Sequence, residues 1–302
     1  MTQMRTMQPS DDLYPTRNGG EVRMLPRREP VLHGRDAEGP LDAETLARLE
    51  RDGFWIAENL LSLAEVEALT DALEAWREEP LGDVSDGVIR ERGSREQRSL
   101  FALHQRDDAL GAVMRHPRLV GAARQILGGD VYVHQSRLNL KPAFGGAGFS
   151  WHSDFETWHA EDGMPRMRAL SASVLLTENH AWNGPLMLIP GSHHHFVTSP
   201  AVTPPDHYQA SLVEQSIGTP SNDALRALFA DAGRIELALG GPGTVIFFEC
   251  NTMHASTANL SPLPRKNLFV CYNAVDNALV GPFGASRPRP GFLASRDFTP
   301  IR

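Results

Sequence analysis

Lysine is nearly absent from these 302 residues: Lys141 and Lys266 stand against 27 arginines, which singles out both positions. Cysteine is as scarce. Cys250 and Cys271 are too few for a disulfide framework and are not spaced as a metal knuckle or a redox pair, so they read as small buried hydrophobes in a reducing compartment. No stretch approaches the roughly 18 apolar residues of a membrane span, and MTQMRTMQPSDDLYPTRNGG lacks the apolar segment of a secretory signal, so a soluble cytoplasmic protein is expected. Positive charge is in deficit as well. With 37 acidic against 29 basic side chains the net charge is −8, a surface that repels phosphate backbones and anionic lipid and so argues against nucleic acid or a membrane as partner. The glycine run FGGAGF has no third glycine of a dinucleotide turn, neither lysine sits in a phosphate-binding GxxxxGK[ST], and no GxSxG elbow occurs. Nucleotide and serine-hydrolase chemistry therefore lack support. No internal repeat is visible.

What is present is ordinary for a globular chain: 41% hydrophobic and 22% charged residues, which excludes a disordered, collagen-like or coiled-coil body. Residues 1–40 carry Pro, Gly, Arg and Asp without an apolar period and predict a mostly irregular arm able to fold over the body. Residues 41–130 predict a mainly helical part. Two helices flank a short strand, FWIAEN, the first carrying Leu46 and Leu49 and the second placing Val66, Leu69, Leu73 and Trp76 on one face, and a third helix spans 117–127 before Gly128-Gly129. From residue 131 short strands divided by Gly/Pro turns take over: VYVHQSRLNL, RALSASVLLT, PLMLIP, RIELAL, GTVIFF and NLFVCYNAV, with one helical interruption near 221–230. This order predicts one domain over 1–302, mainly β with flanking helices, built as a barrel or jelly roll.

The segment FSWHSDFETW is the most informative. If it is extended, His152 and Asp154, two apart, face the same way and can grip one ion. A third ligand is available in His254, just after the strand GTVIFF. Two histidines and a carboxylate form the facial triad that leaves three positions open on non-haem Fe(II). Eleven residues beyond His254, on what reads as the next strand of a hairpin, Arg265 offers a guanidinium that can clamp a carboxylate bidentately. A dicarboxylic cosubstrate such as 2-oxoglutarate suits that pair, with O2 as the oxidant. The run His193-His194-His195 cannot turn three adjacent side chains to one ion, and His134, His159 and His180 lack a partner at ligand spacing, so these read as loop or supporting residues.

Residues 149–171, FSWHSDFETWHAEDGMPRMRALS, resemble the long signature segment of the ectoine hydroxylases, a branch of the phytanoyl-CoA dioxygenase group of Fe(II)/2-oxoglutarate-dependent dioxygenases. Similarity extends to DLYPTR at 12–17, PGSHH near 190 and ECNTMHAS through PRKN. The resemblance implies a double-stranded β-helix (jelly-roll, cupin-like) core. It implies His152, Asp154 and His254 as catalytic iron ligands, and Lys141, Asn139, Ser256 and Arg265 as the holders of 2-oxoglutarate. Gln135, Thr157, Trp158, Phe248, Asn267 and Phe269 are implied to form the substrate pocket. Related halogenases replace the metal carboxylate with a small residue; Asp154 is retained, so hydroxylation is the implied outcome. The implied reaction converts ectoine to 5-hydroxyectoine, with O2 consumed and succinate and CO2 released, in compatible-solute synthesis under osmotic or thermal stress. A homodimer is implied as well. Aromatic faces for the amidinium and donors for the carboxylate are what this small zwitterion requires. Two other readings stand beside it: a dioxygenase of the same group hydroxylating another small molecule, such as an acylated amino acid, and a non-catalytic jelly-roll module binding a structural metal or a sugar.

Overall fold

Helix boundaries follow local capping chemistry. The helix Ala43–Asp52 starts at Asp42, whose carboxylate accepts from the Thr45 amide, and stops at Gly53 in the left-handed conformation. Pro117–Leu127 has proline in its first turn and Gly128 at its end. Asn222–Ala232 is capped by Ser221 and closed by Gly233. The computed structural model describes residues 12–34, 38–78, 87–91, 96–106, 108–212 and 215–302. Part of the expected arm, residues 1–11 and 35–37, lies outside them.

In chain order the strands of the described residues are β1 (Met24–Pro26), β2 (Phe54–Ala57), β3 (Val88–Arg90), β4 (Gln97–Phe101), β5 (Val131–Lys141), β6 (Phe149–His152), β7 (Ala169–Leu175), β8 (Leu186–Leu188), β9 (His195–Val197), β10 (Glu236–Leu237), β11 (Val245–Glu249), β12 (His254–Ser256) and β13 (Arg265–Ala274). They form a wide sheet, β2-β11-β7-β13-β5-β4-β3, a narrow sheet, β10-β8-β12-β6, and the pair β1-β9. The pairings are antiparallel, and the fold is the expected jelly roll.

Alternation sorts the wide sheet's side chains between two layers. Phe54, Leu175, Ile246, Phe248 and Phe269 point inward and pack with Leu186 and Leu188 of the narrow sheet. Their neighbours Val174, Phe247, Leu268 and Val270 point outward, into a core shared with Leu49, Leu69, Leu73, Leu119 and Ile126 of the helices. There Trp55 stacks on Phe247 at 5.2 Å. Lys266 belongs to this outer layer, and its ammonium meets Glu74 of the helix Leu63–Glu78.

Three details add to or alter the expectations. Segment 41–130 supplies the expected short strand as β2 and, unmarked in the sequence, β3 and β4, which pair with each other and join the wide sheet through β5. β12 and β13 belong to different sheets, so His254 and Arg265 do not share a hairpin. Within the arm, β1 pairs with β9, and Tyr14, Thr16 and Arg17 are buried.

Gly243 precedes β11 at φ +88°, donating to Leu175 and accepting from Leu61, and a Cβ there would overlap the Leu61 carbonyl oxygen. Gly243→Ala should therefore lower stability by more than about 2 kcal/mol through left-handed strain and overlap. Urea unfolding measures it; a loss below about 0.5 kcal/mol would mean that the turn relaxes freely.

Candidate active site

His152 and His254 are direct cross-strand partners of β6 and β12, with ring centroids 4.2 Å apart. Each Nδ1 lies against a backbone carbonyl, Ser150 at 2.8 Å and Thr252 at 2.9 Å. A carbonyl only accepts, so both Nδ1 atoms carry the proton and both Nε2 atoms present bare lone pairs. Burial reinforces this, pushing His152 down to about 3 and lowering His254. The Nε2 of His254 has no hydrogen-bond partner. Asp154 Oδ1 stands 3.7 Å from His152 Nε2 and 3.9 Å from His254 Nε2, and the three ligand atoms lie within 4.8 Å of one another. Unprotonated imidazole nitrogens and a carboxylate converging on one point form a donor set that fits a divalent ion.

The route by which Asp154 arrives differs from the expected extended segment. β6 ends at His152, Ser153 caps the turn Asp154–Thr157 through the Glu156 amide, and a π-helical turn, Trp158–Asp162, follows. The spacing Ser153-x-x-Glu156 is a capping-box signal that the sequence carried. It outranks strand alternation here.

On one side of the triad is a cavity rich in cations, bordered by Arg98, Arg137, Asn139, Ser256, Arg265 and Phe269. Arg265 is 2% exposed; its guanidinium donates to Asn139 Oδ1, its Nε has no partner, and no carboxylate among the described residues pairs with it. Burial first, then Arg137 and Arg98, push it down to about 9, still a cation at neutral pH. Lys141, the register partner of Arg265, is pushed down to about 6 by burial, Arg265 and Arg98. Its Nζ donates to the Ser256 hydroxyl at 3.0 Å and to the Thr257 carbonyl. Lys141 thus holds Ser256 in place and does not itself border the cavity. Arg98 is neutralised by Glu91 at 3.2 Å, whereas Arg137 lies 4.8 Å over the Phe269 ring with its Nε unpartnered. The wall of this cavity therefore carries cations that no carboxylate among the described residues fully compensates, a surface suited to an anionic ligand.

A second cavity shares Arg137, Phe149 and His152 with the first and adds Gln135, Asp154, Thr157, Trp158 and Arg289. The triad therefore sits between the two. Gln135 donates to the Leu293 carbonyl at 2.7 Å, which leaves its amide oxygen free for the cavity. Phe248 and Asn267 border neither cavity. Phe248 is fully buried with its ring 5.0 Å from His254, a packing surface behind that imidazole, and Asn267 reaches the Ser173 hydroxyl at 3.5 Å. Among the other histidines, His193 contacts the Glu50 carbonyl, His159 binds Asp12, His134 faces Asp162, and His180 faces Glu178; none joins the triad.

Sequence reasoning missed Arg98, Arg137 and Arg289. Arg137 had a readable signal: Gln135, Asn139 and Lys141 share one face of β5, and residue 137 occupies the same face between them. Arg289 arrives from a proline-rich segment without regular structure, fixed by two bonds to Asp162 at 2.7 and 2.6 Å.

Because Arg265 is a buried charge without a carboxylate, Arg265→Met should raise the stability of the ligand-free chain by about 1 kcal/mol or more. It should also remove the melting shift that 2-oxoglutarate gives the parent chain. Thermal melts with and without the diacid check both; an unchanged shift would remove Arg265 from the cosubstrate site.

Comparison with known proteins agrees with this geometry. The profile of the phytanoyl-CoA dioxygenase family matches residues 49–267. The chain is 49% identical over 292 residues to the ectoine dioxygenase of Stutzerimonas stutzeri, covering 96% of each. To the ectoine dioxygenase of Halomonas elongata it is 50% identical over 288 residues, 95% of this chain and 86% of the relative. Among solved structures, EctD from S. alaskensis with 2-oxoglutarate and 5-hydroxyectoine superposes with a TM-score of 0.84 at 45% identity, covering 94% of this chain and 95% of that one. The same protein with bound Fe gives 0.85 at 44%, covering 96% and 97%.

Proposed function

The chain belongs to the phytanoyl-CoA dioxygenase family, and on that premise we propose that it is an Fe(II)- and 2-oxoglutarate-dependent dioxygenase that hydroxylates ectoine to 5-hydroxyectoine. O2 is consumed, and succinate and CO2 are released. The observation that carries this reading is the position of the triad, with its bare imidazole nitrogens, between a cavity walled by Arg265 and Arg137 and a second cavity with an aromatic and polar wall.

In this reading His152, Asp154 and His254 hold the iron. Bound there, Fe(II) couples decarboxylation of the keto acid to O2 reduction and provides the oxidising power for hydroxyl insertion into a C–H bond. The protein contributes binding and orientation. Arg265, with Asn139 and with Ser256 braced by Lys141, receives the far carboxylate of 2-oxoglutarate. Gln135, Thr157 and Trp158 orient ectoine, the indole offering its face to the amidinium and the polar groups addressing the carboxylate. Phe269 supports Arg137 from below, and Phe248 backs His254 and keeps water from the rear of the triad.

We place this chemistry in the cytoplasm, as a step of compatible-solute synthesis. Two buried free cysteines suit a reducing compartment, and among the described residues no helix is long and apolar enough to cross a membrane.

The test is anaerobic assembly with Fe(II), 2-oxoglutarate and ectoine, followed by oxygen and product analysis. Succinate and 5-hydroxyectoine should appear in equal amounts, with little succinate when proline or an acyl thioester replaces ectoine. An unmodified ectoine ring would overturn the reading. His254→Ala should reduce turnover by at least about a hundredfold, since even indirect disturbance of a metal ligand costs ten- to a hundredfold.

A further inference from the structure

Residues 12–17 lie behind the turn that bears Asp154, Thr157 and Trp158, and they touch it repeatedly. Asp12 meets His159 at 3.0 Å, Tyr14 packs edge-on against Phe155, and the Thr16 hydroxyl donates to Glu156 at 2.9 Å. Arg17 makes the largest set of contacts. Its Nε and Nη2 donate to the Glu156 carboxylate at 2.9 and 2.6 Å, and its Nη1 donates to Glu161 and, at 3.2 Å, to Thr203 Oγ1. It is 3% exposed, and its backbone is left-handed at φ +54°, a conformation an arginine keeps only where its surroundings impose it. Gly218 closes the pair from outside: a Cβ there would overlap the Glu156 carboxylate and stand 2.8 Å from Arg17 Nη2.

One further contact gives this cluster a direction. Arg17 Nη2 lies 3.2 Å from Thr157 Oγ1. A guanidinium only donates, so Thr157 accepts, and its own hydroxyl proton has to turn elsewhere. The remaining neighbour, Gln215 Nε2 at 3.5 Å, also approaches as a donor. Among the described residues no acceptor takes the Thr157 proton, and the side chain borders the second cavity beside Asp154 and Trp158.

We propose that Arg17 is a positioning residue for the substrate: by occupying Thr157 Oγ1 as a donor, it turns the threonine hydroxyl into a dedicated donor toward the second cavity, selecting a ligand that presents an acceptor, best a carboxylate oxygen, at that point. This rests on the reading of Thr157 as a substrate contact. It makes the N-terminal arm, remote in sequence from the triad, part of what determines the substrate class.

The test is a double-mutant cycle on the dissociation constant for ectoine, measured anaerobically on the chain loaded with Fe(II) and 2-oxoglutarate so that nothing turns over. Thr157→Val keeps the shape and removes the hydroxyl; Arg17→Lys keeps a cation beside Glu156 and Glu161 but loses the fork that reaches Thr157. Each should weaken ectoine binding about tenfold, the loss of one hydrogen bond to a charged group. The double variant should be no weaker than Thr157→Val alone, with 2-oxoglutarate affinity unchanged throughout. If Thr157→Val binds ectoine normally, the underlying reading of Thr157 fails and the proposal falls with it. If Thr157→Val weakens binding but Arg17→Lys does not, or the two effects multiply, that reading survives and the role of Arg17 is overturned. Should Arg17→Lys not fold, the combination Arg17→Met, Glu156→Gln and Glu161→Gln removes the buried charges together and is held to the same outcomes.

Discussion

The register of β13 between β5 and β7 is the constraint on which the cationic cavity depends. Arg265 faces Lys141, Asn267 faces Asn139, and Phe269 faces Arg137, all on the inward side of the wide sheet. A slip of one residue would turn these side chains into the helical layer and bring Lys266, Leu268 and Val270 into the cavity, because side-chain direction alternates strictly along a strand. The outer layer opposes that slip. Leu268 and Val270 are fully buried against the helices, and Lys266 is fastened to Glu74. Core packing on one face of β13 thus sets the position of polar groups on the other. The bulge between Cys271 and Tyr272 falls beyond these pairs and leaves their register intact.

The electrostatics divide into two regimes. Around the arm, buried charges are matched: Arg17 with Glu156 and Glu161, Arg289 with Asp162, Arg27 with Glu249. Around the first cavity only Arg98 is matched, by Glu91. Arg265 has no carboxylate among the described residues, and Arg137 has a phenyl face. A net charge of −8 over the whole chain gives no hint of this local cationic excess. Global charge governs encounter with large partners, while an enclosed cavity responds to the few groups that border it. A small diacid can therefore be drawn into a protein whose surface repels polyanions.

Much of this was legible in the sequence. The helix 117–127 was marked by proline and glycine at its two ends, and the long strand through Gln135, Asn139 and Lys141 by alternation. The residues of the triad were visible as a close pair and a distant histidine. What stayed hidden was long-range pairing: His152 and His254 are cross-strand neighbours 102 positions apart, and no local pattern reports that. Resemblance to a family implied Phe248 and Asn267 at the substrate; packing adds that the first lies against His254 and the second beside Ser173. The arm was opaque for another reason. DLYPTR has no period, because its residues are fixed one at a time by Phe155, Glu156, Thr157 and His159 rather than by a repeating surface.

That irregularity is tied to the shape of the segment it holds. The chain from Ser153 to Gly163 passes from a strand end through one α-turn into a π-turn, a sequence of conformations with few repeating hydrogen bonds and little stability of its own. Yet it must carry Asp154 to the triad and place Thr157 and Trp158 on the cavity wall. A regular helix long enough to stabilise itself would continue past the cavity and turn some of these side chains away. The short form leaves Glu156 and Glu161 facing away from the metal, and only a cation brought from elsewhere can hold both. Arg17, fixed in a left-handed backbone by the Ser199 carbonyl and its own side-chain contacts, fills that place. The left-handed strain at Arg17 and the unusual turn it supports are thus two parts of one solution, in which geometry at the metal is set by contacts on the side remote from it.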